Sequence, residues 1–209
     1  MKVFLLHGWP NSERMWVSQV TALRNAGFEP IVPHLYGRGP SIDGWAAHLL
    51  RDYDGPLVAV GASMGGYCAL AMARRAPERV VGVVLVASRA SADTFERRRE
   101  RDDQIATLRA RGVPEELETE ESAEDLAVAQ EAMRDRMDLS GIAASFGGPL
   151  LVCVGDRDEN VSVEESRELV DGALRGSLEI FEGAGHFLSM ERSEKFNSVL
   201  LGFLGEWQT

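Results

Sequence analysis

No stretch of this sequence approaches the roughly 20 consecutive apolar residues that a membrane-spanning helix requires, so a chain held in a bilayer by such a helix is not expected. Cysteine is scarce. The two present, Cys68 and Cys153, fall in a predicted helix and a predicted strand. They make no disulfide framework, and a cytoplasmic location is the expectation. Neither Cys-x-x-Cys nor His-x-x-x-His spacing occurs, so a structural metal site is not expected. Basic residues are outnumbered, 22 against 33 acidic, for a formal net charge of −11. That balance argues against a nucleic-acid partner. It reads as a solubility device, not as a preference for cationic substrates. The N-terminal apolar run, Val3 to Leu6, is too short for a signal peptide and leads straight into His7-Gly8. The 209 residues suit one domain with a small insertion.

What is present is organised around Leu57-Val58-Ala59-Val60-Gly61-Ala62-Ser63-Met64-Gly65-Gly66. The apolar run reads as a strand buried on both faces. The Ala-rich segment Tyr67 to Ala76 reads as a helix. Ser63 sits between them in the pattern Gly-x-Ser-x-Gly, which places a serine on a sharp strand-to-helix turn at the positive end of a helix dipole. Small neighbours are needed there, because the helix must fold back against the strand.

Strands and helices alternate on either side. Val3–Leu6, Pro30–Pro33, Arg79–Val86, Pro149–Gly155 and Ser177–Phe181 read as strands. Glu13–Asn25, Ile42–Asp52, Val163–Leu174 and Met190–Glu206 read as helices. This alternation predicts a parallel sheet covered on both sides, with ligands beyond the carboxyl ends of its strands. Residues 91–146 break the pattern: they are charged and helical. One helix is expected from Ala92 to Arg111 and another from Ser122, with Leu126, Ala129, Met133 and Met137 on one face. Such an insertion at the carboxyl edge reads as a lid, with Gly112 to Glu121 as its mobile part.

A serine hydroxyl is a poor nucleophile unless a base takes its proton and a third group orients that base. His186 follows the last strand in a Gly-rich loop, and Asp156 and Asp158 follow the strand before it. The order Ser63, Asp158, His186 is the order in which this architecture supplies a catalytic triad. Spacing alone prefers Asp158 over Asp156 only slightly. The oxyanion needs two backbone N–H groups, expected from Met64, after the nucleophile, and from Trp9 in the first strand-to-helix loop. His7 reads as a brace for that loop, and His48 as a surface residue.

The chain resembles an α/β-hydrolase. The matching pieces are Leu6-His7-Gly8-Trp9-Pro10, Gly37-Arg38-Gly39-Pro40-Ser41, Gly61 to Gly66, Gly155-Asp156-Arg157-Asp158 and Gly183-Ala184-Gly185-His186-Phe187. The resemblance implies that Asp158, at the fourth position of Gly-x-x-Asp, is the acid. The stretch from Arg136-Met137-Asp138-Leu139 through Gly155 to Phe203-Leu204 is similar to the enol-lactonase and small-esterase branch. The fold implied is α/β, in three layers, with a core of residues 1–90 and 147–209 and a short helical cap at 91–146. The two antiparallel strands that usually precede the His-Gly strand are missing from this sequence, so about six strands, mostly parallel, are expected. His34 stands where the family commonly has aspartate. A serine at position 63 implies acyl transfer to water, with no cofactor and no metal. The substrate expected is a small ester, lactone or thioester, or a carbon–carbon bond next to a ketone; a slow-turnover receptor of the same fold is the non-enzymatic alternative. An apolar pocket of Trp9, Phe95, Met133, Met137, Phe187 and Leu188 is expected, with His34 lining it and Arg38 or Arg89 available to a substrate carboxylate.

Overall fold

A computed structural model describes residues 1–207. Six strands form one sheet: β1 Lys2–Leu6, β2 Glu29–Ile31, β3 Leu57–Ala62, β4 Val80–Val86, β5 Leu150–Gly155 and β6 Gly176–Phe181. Their order is β2-β1-β3-β4-β5-β6, and every neighbouring pair is parallel. The continuous apolar runs are explained by the two cores they divide. Along β1, Phe4 and Leu6 enter one core while Val3 and Leu5 enter the other. Along β3, Leu57 and Ala59 alternate in the same way with Val58 and Val60. This is the period of two that a pleated strand imposes.

On one face lie α2 (Ile42–Asp52), α3 (Met64–Arg75) and α7 (Val163–Asp171); on the other lie α1 (Val17–Asn25) and α9 (Ser193–Leu204). Residues 91–146 carry α4 (Phe95–Arg111), α5 (Ala123–Arg134) and the short α6 (Ser140–Ser145). Helices α4 and α5 pack together through Ile105 and Leu108 on one side and Leu126, Ala129 and Met133 on the other.

Several predicted boundaries shift for local reasons. Helix α3 starts at Met64, three residues earlier than expected, because Ser63 itself is the turn. Helix α4 starts at Phe95, not Ala92, because the Thr94 hydroxyl accepts from Arg97 N and caps it there. The first turn after Ser12 is a 3-10 helix, Glu13–Trp16. The closing helix is broken at Arg192 into α8 (Leu188–Glu191) and α9. Helix α5 ends at Arg134, so Met137 leaves its expected face. The segment 112–121 contains a 3-10 turn, Glu115–Leu117, and Thr119 Oγ1 donates to Pro10 O at 3.0 Å.

A buried ion cluster stitches the two ends of residues 91–146 together. The Asp93 carboxylate, fully shielded from solvent, binds the Arg101 guanidinium, and Arg136 Nη1 lies 2.7 Å from its other oxygen. Burial alone would raise this carboxyl. The Arg101 hydrogen bond and the two positive charges outweigh it and hold the group below its usual range.

Candidate active site

Ser63 is forced into its position by crowding. A Cβ on Gly65 would lie 2.1 Å from Leu6 O, and one on Gly61 would lie 2.2 Å from Gly65 O. Only glycine lets α3 start so close to β1 and β3. Ser63 adopts φ 46°, ψ −110°, a region that disfavours a side chain by about 1–3 kcal/mol and persists because neighbours fix it. Ser63 N donates to Val86 O at 2.8 Å, and the Ser88 hydroxyl donates to Ser63 O at 2.8 Å. Among the described residues the Ser63 hydroxyl has no hydrogen-bond partner. Free enzymes often hold such groups loosely until substrate arrives.

Asp158 and His186 meet because two loops touch. A Cβ on Gly155 would lie 2.2 Å from Ala184 O, so the end of β5 rests against the loop after β6. Asp156 Oδ1 accepts from Gly183 N at 2.7 Å, and Arg157 N donates to Ala184 O at 3.0 Å. His186 Nδ1 then lies 2.9 and 3.0 Å from the two Asp158 oxygens. The carboxylate is fully shielded, and the imidazole keeps 17% of its surface exposed. Burial by itself would raise the Asp158 carboxyl. The hydrogen bond and charge of His186, with the amides of Asn160 and Val161 on Oδ1, more than offset burial and lower it. Asp156 thus latches one loop to the other. The next helix is capped by Ser162 instead, whose hydroxyl accepts from Glu165 N.

Gly8 runs beside Ser63: a Cβ there would meet Ala62 O at 3.3 Å and Ser63 Cβ at 3.5 Å. This sets the loop that carries Trp9 against the turn that carries Ser63. Met64, in the first turn of α3, has an amide with no intrahelical acceptor. His7 is fully buried. Its Nε2 accepts from Leu35 N at 2.9 Å and its Nδ1 lies 3.2 Å from Gly8 O, which sets the tautomer with the proton on Nδ1. Burial pushes its pKa down to about 4.

Ser63 and His186 open into one cleft of about 670 Å³, which Trp9, Met133 and Phe187 also line. The other expected pocket residues lie elsewhere. Phe95 is 71% exposed on the outer side of α4. Met137 borders a separate 160 Å³ cavity with Tyr67 and Arg136. Leu188 is fully buried in the core beneath α8, because α8 begins at that residue. His34 is exposed outside the cleft, with Nδ1 2.8 Å from Glu13 Oε2 and Nε2 3.4 Å from Glu121 Oε2. Arg38 is also outside; its Nε donates to His34 O. Arg89 does reach the cleft, but Glu165 grips it at two oxygens.

The cleft is not the apolar pocket expected. Arg97, Arg101, Gln104 and Gln130 line it, contributed by α4 and α5. The sequence hides them because a polar stripe facing a cleft reads like one facing water. Two further residues hold the site in place. Glu191 brackets His186, and Ser88 braces Ser63 O. Among the described residues no cluster of three or more His, Cys, Asp or Glu has an arrangement that could hold a metal ion, and no helix is long and apolar enough to cross a membrane.

A sequence model of the alpha/beta hydrolase family matches residues 3–199. A pimeloyl-[acyl-carrier protein] methyl ester esterase from Aromatoleum aromaticum is 38% identical over 88 residues, a stretch covering 39% of this chain and 35% of that protein. A thermophilic esterase from Thermogutta terrifontis, solved with malate bound, superposes with a TM-score of 0.90 at 26% identity, over 100% of this chain and 91% of that one. An enol-lactonase from Burkholderia xenovorans LB400 superposes with a TM-score of 0.84 at 20% identity, over 98% of this chain and 91% of that one, a likeness of fold.

Proposed function

The chain belongs to the alpha/beta hydrolase family, and within it we propose a serine hydrolase that cleaves small carboxylic esters or lactones through Ser63, His186 and Asp158. One observation carries the reading. The His186 imidazole is held by the buried Asp158 carboxylate at 2.9 Å on the wall of the cleft into which Ser63 projects.

In this mechanism Ser63 Oγ attacks the acyl carbon while His186 Nε2 takes its proton. Asp158 keeps the other imidazole proton on Nδ1 and stabilises the imidazolium. The charge that develops on the carbonyl oxygen is met by the Met64 and Trp9 N–H groups, aided by the positive end of α3. His186 returns its proton to the leaving alcohol, then activates water against the acyl-enzyme. In a lactone the freed hydroxyl remains part of the acyl group, and the water releases the whole hydroxy acid from Ser63. Residues 91–146 serve as the cap, since α4 and α5 supply one wall of the cleft.

The ester reading draws support from the Thermogutta esterase, whose likeness runs the full length of the chain. The protein is expected to turn over p-nitrophenyl acetate and butyrate, and Ser63→Ala to lower kcat by about 10³-fold or more. Undiminished turnover in Ser63→Ala contradicts the reading.

A further inference from the structure

The wall that α4 and α5 contribute to the cleft is rich in unused donors. Arg89 and Arg97 both aim a guanidinium at the Asn160 carbonyl, two residues from Asp158, with Arg97 Nη2 at 3.0 Å. Glu165 is the carboxylate paired with Arg89; Arg97 has no carboxylate partner among the described residues. Deeper in the same wall, Arg101 Nη1 donates to Gln130 Oε1 at 2.6 Å and its Nε binds Asp93, which it shares with Arg136. The Arg136 guanidinium, which lines the neighbouring cavity, lies 3.9 Å over the ring of Tyr67, a residue that both share.

The acceptors nearest these guanidinium groups are largely taken. Asn160 O is used twice, Gln130 Oε1 and Asp93 by Arg101, and Glu165 by Arg89. Several donors remain uncommitted. Among the described residues Gln130 Nε2, the Tyr67 hydroxyl, Arg89 Nη1 and Arg101 Nη2 make no hydrogen bond. Three arginines, Arg89, Arg97 and Arg101, line the cleft, while Arg136 lines the cavity next to it. The Arg89 and Arg101 side chains are only 7% and 13% exposed, so water and salt screen them poorly. Three carboxylates, Glu100, Glu116 and Glu118, also line the cleft as exposed residues, whereas Arg89 and Arg101 are shielded.

We propose that this wall is a subsite for a carboxylate carried by the substrate itself, at the far end of a short chain from the scissile carbonyl. A planar carboxylate matches the fork of a guanidinium, and Arg97 is the one free to offer it. Arg97 reaches the Asn160 carbonyl, two residues from Asp158, so it stands close to the triad, which suits the half-esters of short dicarboxylic acids. The proposal rests on the ester-hydrolase reading and narrows it.

The test compares kcat/KM for monoethyl glutarate and monoethyl adipate with ethyl valerate and ethyl hexanoate, neutral esters of matching length. The half-esters are expected to be preferred at least fivefold by the wild-type protein. That ratio is expected to collapse in Arg97→Gln and to recover in part in Arg97→Lys. A wild-type ratio of one or less, or a ratio unmoved by Arg97→Gln, overturns the subsite while leaving the hydrolase reading intact. If the wild-type protein hydrolyses neither these esters nor p-nitrophenyl butyrate, the hydrolase reading fails, and calorimetric titration of monoethyl glutarate into Ser63→Ala reads the subsite alone. Saturable binding that Arg97→Gln weakens at least fivefold supports it; no binding, or binding indifferent to residue 97, overturns it.

Discussion

Glu191 grips the backbone on both sides of His186: its Oε2 accepts from Gly185 N at 2.8 Å and its Oε1 from Phe187 N at 3.1 Å. A carboxylate that takes both flanking amides fixes the direction in which the imidazole leaves the loop. Hydrogen bonds to a charged group contribute about 1.5–3 kcal/mol each. Glu191→Ala is therefore expected to lower kcat for p-nitrophenyl butyrate by about 10- to 100-fold, with KM changed far less. Glu191→Gln, which keeps one acceptor, should retain part of the rate. Steady-state kinetics on both variants checks this; a change confined to KM would place Glu191 outside the positioning of His186.

The two loop aspartates separate by what they hold. Asp158 holds the His186 imidazole, whereas Asp156 holds the Gly183 amide. Asp158→Asn should reduce kcat by about 10²- to 10⁴-fold, because asparagine can no longer stabilise the imidazolium. Asp156→Asn should cost less than about tenfold, since an amide oxygen still accepts from Gly183 N. Rates measured side by side at pH 8 decide it, and equal losses would mean the acid is wrongly assigned.

His7 makes stability depend on pH. Its pKa is about 4 in the folded chain, below the 6.5 of a free imidazole. As pH falls below 6.5 the unfolded chain takes up a proton that the folded chain refuses. The stabilisation is complete above pH 6.5 and is lost as pH drops toward 4, by about 2–3 kcal/mol at pH 4.5. Urea unfolding of the wild type and of His7→Asn should show a stability gap at pH 7.5 that narrows by about that amount at pH 4.5. A gap independent of pH would mean that His7 is not held neutral by its burial.

Asp93 is the shared counter-ion of two buried guanidinium groups where residues 91–146 leave and rejoin the core. Removing one partner of such a cluster leaves charge buried without compensation and costs about 3–5 kcal/mol. Asp93→Asn should lower the unfolding free energy by that amount in denaturant titrations. A loss under 1 kcal/mol (about the ceiling for an exposed pair) would show that the cluster is solvated.

Legibility in the sequence followed how local each signal was. The run from Leu57 to Gly66 announces strand, turn and helix by itself, because crowding at Gly61 and Gly65 leaves a pattern in the letters. Gly155 and the loop Gly183 to His186 are legible for the same reason, as two backbones touch there. The six parallel strands follow from apolar runs that alternate with helices. The cleft wall was not legible. Arg97 and Arg101 lie on a helix so polar that nothing distinguishes the stripe facing the cleft from the one facing solvent. Leu188 and Met137 carry the opposite ambiguity: an apolar side chain near the site suggests a pocket, but a core or a second cavity claims it equally well. Glu191 left no signal, because a carboxylate five residues after a histidine is common on any helix start.

The central claim is that Ser63 is the nucleophile, and a fluorophosphonate probe tests it most directly. Intact-mass and peptide analysis of the treated wild-type protein should show a single adduct on the peptide containing Ser63, with esterase activity lost in step. Ser63→Ala should take up no label, and His186→Ala should label far more slowly. Labelling at another residue, or hydrolysis that survives complete labelling, would contradict the account.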